Sequence, residues 1–432
     1  MLRCLIATLG KDAPGVNAAV RAVTRLASRR DLEVYGVKQG FRGVLNRTYV
    51  KLRESDVANI LGRGGSLLGS SDYRLPVAEK EALDAIAASL KQFDLVVAIG
   101  GLGSFAILDR VYSHADLALT TTMFIPASVE GEFLDPRRAR GPIQSSREDG
   151  AGVEARGEQV HAECIGADTA ANTAIEAIER LRDQSYHTRT VFLVQTIGAK
   201  SNFLPVQIGV ACGAHRVYLP SFPRLTDDDR AEIKTLYGDD FDPHRVDVRE
   251  LVAWIGQTFE TTRKKYLVVL IPHGLPLVGR VRTPGQEIHE LHRYESIVTS
   301  MAPLELTALR VVDDLSLYFS GNDEVQVRHV LLDDLQRGGA PTARDRVLAS
   351  MYGEAAVEEF LSLLHEQGAE ARGGLSLLAI GDTSRVGWKR VARSEVTALF
   401  KGDDARAGGV DALPFLRLNR GTVSGYRPLA LL

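Results

Sequence analysis

Residues 93–99 (Phe-Asp-Leu-Val-Val-Ala-Ile) form a short, almost unbroken apolar run, the pattern of a parallel strand covered on both faces. Gly100-Gly101-Leu102-Gly103-Ser104 follows at its C-terminal end, and Phe105-Ala106-Ile107-Leu108 opens a helical pattern. The same order appears at the start of the chain. An apolar strand over 1–8 runs into Gly10-Lys11-Asp12-Ala13-Pro14-Gly15, and an amphipathic helix over 18–27 carries Val20, Val23 and Ala27 on one stripe. Further strands are predicted at 32–37, 122–126, 190–196, 217–220, 266–271, 328–332 and 375–380, with helices at 174–183 and 250–259. Alternation of this kind predicts α/β architecture with largely parallel sheets. Residues 135–159 lack hydrophobic periodicity and read as a surface loop or lid, with Arg137, Arg138 and Arg140 solvated.

Composition narrows the class. The chain has 432 residues, enough for two or three domains, with 45% hydrophobic and 25% charged residues, a globular profile. A net charge of -3 gives no electrostatic reason to expect nucleic acid or a membrane surface as partner. No apolar stretch is long enough to span a bilayer, and the apolar start is too short for a signal peptide. Cys4, Cys164 and Cys212 have no metal spacing and form no even framework, so a reducing cytoplasm is the expected location.

Three glycine-dense loops precede residue 105: the one at Gly10, the one at 61–71, and the one at Gly100. A glycine turn between a strand and a helix lets a phosphate approach the backbone, where the helix N-terminus aims free N–H groups at it. Three such loops point to a phosphate-bearing ligand, and Lys11 adds a positive charge. Glu130 and Glu132, two residues apart after the strand at 122–126, suit a base and a metal ligand, although a solvated acidic turn is the plainer reading. Gly101 to Ala106 also fits G-x-G-x-x-A. The next strand ends in Ile125-Pro126 without the acidic residue a dinucleotide site requires, so that reading is set aside.

Four segments, in order, resemble the phosphofructokinase family, whose members phosphorylate fructose 6-phosphate with ATP or pyrophosphate. Gly10-Lys11-Asp12-Ala13-Pro14-Gly15-Val16-Asn17-Ala18 resembles GGDAPGMNA, and Arg63-Gly64-Gly65-Ser66-Leu67-Leu68-Gly69-Ser70 resembles RGGTFLGS. Gly100-Gly101-Leu102-Gly103-Ser104 resembles GGDGS. Leu335-Gln336-Arg337-Gly338-Gly339-Ala340-Pro341, with Asp345-Arg346, resembles QRGGxPxxxDR. Residues 174–183 also match the family's VVEAIDRLRD. The likeness runs from residue 1 to about 360, interrupted over 133–160 and around 275–325.

The resemblance implies an α/β fold of two doubly wound, largely parallel-sheet domains facing a cleft. Its donor side would hold 1–132 and about 336–390, its sugar-phosphate side 161–335 and about 391–432, with 133–160 a loop insertion. It places Gly10, Lys11, Arg74, Gly101, Gly103 and Ser104 at the donor phosphates, and Arg189, Arg328, Arg337 and Asp334 at the sugar phosphate. Ser128, Glu130 and Arg189 fall at catalytic positions, and Glu132 is the remaining carboxylate for a metal.

The departures are specific. The aspartate that holds magnesium in the family is Leu102, and the catalytic-base aspartate is Glu130, one methylene longer. The family's MGR becomes Ile197-Gly198-Ala199, and the acceptor-site histidine becomes Asp334. The family's arginine after the RGG loop aligns with Asp72, two residues before Arg74, and its sugar-holding glutamate falls near Pro272 or His273. Gly103 and Ala127 are the small residues that mark ATP-type members. Two readings follow: a catalytically impaired relative that binds a phosphorylated sugar or nucleotide as a sensor or regulatory subunit, or an active kinase using ATP and Mg2+ with Glu130 as base. The family's sugar-phosphate pocket borrows arginines from a neighbouring subunit, which implies a homodimer or homotetramer.

Overall fold

The computed structural model describes residues 1–71, 79–133, 162–183, 189–198, 201, 203–220, 245–278, 307–319, 325–367, 373–379 and 389–393. Arg74 and almost all of the expected 133–160 loop lie outside the described residues. The described chain forms two compact units, one from Met1–Ala170 and Arg337–Gly408, the other within Ala171–Gln336.

The first unit opens with β1 (Arg3–Thr8), α1 (Val16–Arg29), β2 (Glu33–Val37), α2 (Gly40–Asn46), β3 (Tyr49–Lys51), α3 (Glu79–Leu90), β4 (Leu95–Gly100), α4 (Leu102–His114) and β5 (Thr121–Pro126). Helix α5 (Ala167–Asp183) leads into the second unit, which holds β6 (Arg189–Thr196), α6 (Phe203–Ala211), β7 (Arg216–Val217), β8 (Val246–Asp247), α7 (Val248–Thr261), β9 (Tyr266–Pro272), β10 (Leu277–Val278), α8 (Thr307–Tyr318) and β11 (Val325–Leu331). A 3-10 turn at Asp333–Arg337 returns the chain to α9 (Ala343–Gln367), β12 (Gly374–Ala379) and β13 (Lys389–Ala392).

The sheet of the first unit has the order β13-β12-β5-β4-β1-β2-β3. Its five inner strands pair in parallel, and antiparallel β13 and β3 close the two edges. Every residue of β4 and β5 is buried, as the unbroken apolar run of β4 requires, and β5 buries two threonines as well. On α1, Val20, Val23 and Ala27 are buried on the predicted stripe, and Val16, in a first turn that the sequence pattern did not include, is buried too. Helix α9 packs against it at Gly353, where a Cβ would stand 2.7 Å from Ala22 Cβ and 2.9 Å from the Ala19 carbonyl. Glycine is therefore what lets these two helices approach so closely.

The main sheet of the second unit, β11-β6-β9-β7, is parallel throughout. The strand expected at 217–220 is reduced to Arg216–Val217, and it leads a buried charge into the core. Arg216 is 2% exposed and donates two parallel bonds to the Glu250 carboxylate, at 2.9 and 2.8 Å. Its guanidinium also lies 4.4 Å from the Trp254 ring centroid. Asp247 caps α7, accepting from the N–H groups of Arg249 and Glu250, which fixes the turn that carries Glu250.

His215 Nδ1 accepts the Val268 N–H at 3.0 Å, and burial, helped by the nearby charges of Lys264 and Arg182, pulls its pKa from 6.5 down to about 3. A depressed histidine pKa supports the fold fully above the unfolded value and withdraws that support as pH falls. The second unit should accordingly lose stability from pH 6.5 towards pH 3, by up to about 1.4 kcal/mol per pH unit. His215→Asn keeps an acceptor for the Val268 N–H without titrating, so urea melts at stepped pH should show a flatter profile for the variant. An equal slope in both proteins would refute the assignment.

Candidate functional site

The four glycine-bearing motifs come together within the first unit. The Leu9 N–H donates to the Ile99 carbonyl at 2.8 Å, binding the turn after β1 to the end of β4. Gly10, at φ +80°, lies against the first turn of α4, where a Cβ would be 3.0 Å from Ser104 Oγ. Thr8 Oγ1 donates to the Gly69 carbonyl at 2.9 Å and shares a hydrogen bond with Ser66 Oγ, also at 2.9 Å. Buried Asn17 joins α1 to the 61–71 loop: its amide donates to the Arg63 and Gly64 carbonyls, and its Oδ1 accepts the Leu67 N–H at 2.7 Å. Gly64 meets the fourth motif, since a Cβ there would stand 2.2 Å from the Gly339 carbonyl. Ser70 Oγ donates to Asp12 Oδ1 at 2.7 Å across the rim.

The acidic turn after β5 is not solvated. Glu130 is 7% exposed and Glu132 8%, and Gly131 between them adopts φ +69°. Ser128 Oγ accepts the Glu130 N–H at 3.3 Å, closing the turn. Arg337, from the fourth motif, approaches Glu130 Oε1 at 3.8 Å, an ion pair between side chains that are 15% and 10% exposed. Glu132 points the other way. Its Oε2 accepts the Leu102 N–H at 2.9 Å, at the first residue of α4. A Cβ on Gly101 would lie 3.1 Å from that oxygen and 3.8 Å from both the Ala127 carbonyl and Ser128 Cβ, so the carboxylate fills a cradle that the missing side chain leaves open.

Magnesium takes oxygen ligands, usually one or two carboxylates together with substrate phosphates. Leu102 offers hydrocarbon where the resemblance expects a carboxylate, and the nearby carboxylate of Glu132 is engaged with a backbone N–H. Among the described residues, no three His, Cys, Asp or Glu side chains group as a metal site. Other predicted positions are open to solvent: Gly103 and Lys11 are exposed, as is Arg63 of the second motif, which was not among the predicted site residues.

The remaining predicted residues belong to the second unit. Arg189 begins β6, in register with Val325 of β11, and its guanidinium lies 5.9 Å from the Phe259 ring centroid. Arg328 is in register with Phe192, three positions further along β11, so strand alternation puts it on the face opposite Arg189. It is exposed and donates to Gln326 at 3.1 Å. Asp334 is exposed on the 3-10 turn, while its neighbour Asp333 accepts from buried Gln195 at 3.0 Å.

Two residues of the first unit do more than the sequence alone indicated. Asn17 ties α1 to the 61–71 loop. Asp345, 1% exposed, accepts from the N–H groups of Gly166 and Thr169, each at 2.8 Å, and from Thr169 Oγ1 at 2.5 Å. Burial raises the Asp345 pKa, and these hydrogen bonds oppose the shift. Each lies inside a quoted motif, which was the available signal, but its contacts are too distant in sequence to read.

The family model "Phosphofructokinase" matches residues 3–134 and 159–360. The ATP-dependent 6-phosphofructokinase of Lactobacillus delbrueckii subsp. bulgaricus is 30% identical over 420 residues, covering 96% of this chain and 98% of its own. That of Coxiella burnetii is 27% identical over 368 residues, covering 84% and 86%. Among solved structures, a pyrophosphate-dependent phosphofructokinase from Marinobacter aquaeolei aligns with a TM-score of 0.57 at 15% identity, covering 99% of this chain and 93% of that one. Pichia pastoris phosphofructokinase in the T-state aligns with a TM-score of 0.60 at 19% identity, and this chain, 97% covered, spans only 37% of that longer one. These two structures share the fold. The chain belongs to the phosphofructokinase family.

Proposed function

We propose that this chain binds a phosphorylated sugar or nucleotide and does not carry out the family's phosphoryl transfer, acting as a sensor or regulatory subunit. The observation that carries the proposal is the head of α4, where Leu102 replaces an oxygen ligand and Glu132 accepts the Leu102 N–H at 2.9 Å. In-line phosphoryl transfer depends on positioning and on neutralising charge spread over the phosphates. One exposed lysine, Lys11, supplies a single positive charge there and cannot bridge two phosphoryl groups. Glu130, the candidate base, faces Arg337 rather than open solvent.

Support for a phosphorylated ligand is the convergence of the four motif loops, with Gly10, Lys11, Gly101, Gly103 and Ser104 lining the donor side in this reading. Arg328 and Asp334, both exposed on the second unit, are left as its candidates for a sugar phosphate, with Arg189 on the opposite face of the sheet. The names of the relatives favour ATP where a donor is concerned. The active-kinase reading has one observation in its favour, namely that Glu130 and Arg337 remain together. A cytoplasmic homodimer or homotetramer completes the proposal. No described helix is long and apolar enough to cross a membrane, and all three cysteines are buried free thiols.

Thermal melts with fructose 6-phosphate and with ATP test the ligand class. A ligand present at a hundred times its Kd should stabilise the protein by about 2.7 kcal/mol. No shift with either compound at millimolar concentration would overturn the reading.

A further inference from the structure

Three basic side chains of the second unit gather at the start of β9. Arg182, in the last turn of α5, carries its guanidinium 5.7 Å from the Tyr266 ring centroid. Its Nη2 donates to the Cys212 carbonyl and, at 3.3 Å, to that of Gly213. His215 meets the same ring edge-on, at 5.7 Å between centroids. Lys264, in the link between α7 and β9, is near enough for its charge to act on His215 and for that of Arg182 to act on it. Along Arg263-Lys264-Lys265 the outer two residues are exposed and the middle one is partly buried. Burial and the Arg182 guanidinium both hold the Lys264 pKa below its ordinary value. An amine kept partly dry beside a second cation is the arrangement that makes lysine a nucleophile. Lys51 is the opposite case in the same chain, since its ammonium lies 2.6 Å from Glu33 Oε1 and that bond raises its pKa.

We propose that Lys264, set beside Arg182 between two exposed cations, is an acylation site that takes the acyl group of a small acyl phosphate. Arg263 and Lys265 give the approach a positive potential that draws the anionic donor. The neutral amine attacks the carbonyl carbon of the donor with Nζ. The bond from that carbon to the bridging oxygen breaks, phosphate leaves with the electron pair, and the proton shed by nitrogen passes to water. The product is an uncharged amide, so Arg182 is relieved of a like charge at the start of β9. None of the glycine loops takes part, and the proposal does not depend on which phosphorylated ligand the chain binds.

Incubation of the full chain with acetyl phosphate, followed by mass mapping of its peptides against time, tests this. Lys264 should acetylate at least about fivefold faster than Lys51, and ahead of Lys91, which is exposed just beyond α3. Arg182→Met removes the neighbouring charge and keeps an unbranched side chain. It should slow Lys264 by at least about threefold and leave Lys51 and Lys91 unchanged. An uncharged reagent, an N-hydroxysuccinimide ester of acetic acid, separates the reactivity of the amine from attraction of the donor, and Lys264 should still lead by a smaller margin. A Lys264 rate at or below that of Lys91 with either reagent would overturn the proposal, whether or not the variant folds. Equal Lys264 rates in the native chain and a folded Arg182→Met variant would overturn it as well.

Discussion

Replacing Glu250 with alanine is expected to cost the second unit about 3–5 kcal/mol, because it removes the carboxylate that pairs a buried guanidinium. The Arg216 side chain is 1% exposed and that of Glu250 18%, and the two share a two-bond fork at 2.9 and 2.8 Å. With the carboxylate gone, the guanidinium keeps the Trp254 ring at 4.4 Å, but an aromatic face offsets only a fraction of a buried positive charge. A surface ion pair would behave differently, contributing at most about 1 kcal/mol. Urea unfolding followed by far-UV circular dichroism separates the cases, provided the transition of the second unit is resolved from that of the first. A loss below about 1 kcal/mol would show that the pair is solvated. Replacing Arg216 and Glu250 together by methionine and leucine should recover most of the loss, since the cost lies in removing one charge of a buried pair and keeping the other.

Asp345→Ala should destabilise the first unit by about 2–4 kcal/mol, through the loss of a buried acceptor serving three donors. The carboxylate takes the Gly166 and Thr169 N–H groups at the start of α5 and the Thr169 hydroxyl as well. These donors are buried, so water cannot replace the acceptor without opening the structure. The same measurement applies, read on the transition of the first unit. A change within about 0.5 kcal/mol, the range of an ordinary surface substitution, would contradict the prediction.

Much of this architecture was legible from hydrophobic pattern. The buried run at β4, the stripe on α1 and the glycine turns between them predict both the central strand and the loops that meet at its end. Helix α9 was not anticipated: Tyr352, Ala355, Ala356, Val357 and Phe360 are buried along it, and a helix covered on several sides loses the one-sided stripe that marks an amphipathic one. The edge strands β3 and β13, three and four residues long, are too short for a period to register. At the site, the sequence supplied identities but not partners. Glu130 and Glu132 looked alike as an acidic pair, yet one faces Arg337 and the other holds the Leu102 N–H. Arg216 and Glu250 are 34 residues apart, and no local signal joins them.

The most direct measurement is a coupled turnover assay on the purified chain with ATP, magnesium and fructose 6-phosphate, repeated with pyrophosphate in place of ATP. Glu130→Gln serves as the control. The account predicts a rate no higher than that of the control with either donor, alongside thermal stabilisation by fructose 6-phosphate. Turnover that vanishes in Glu130→Gln would contradict it, showing that Glu130 serves as base and that the loss of a carboxylate at Leu102 has been compensated.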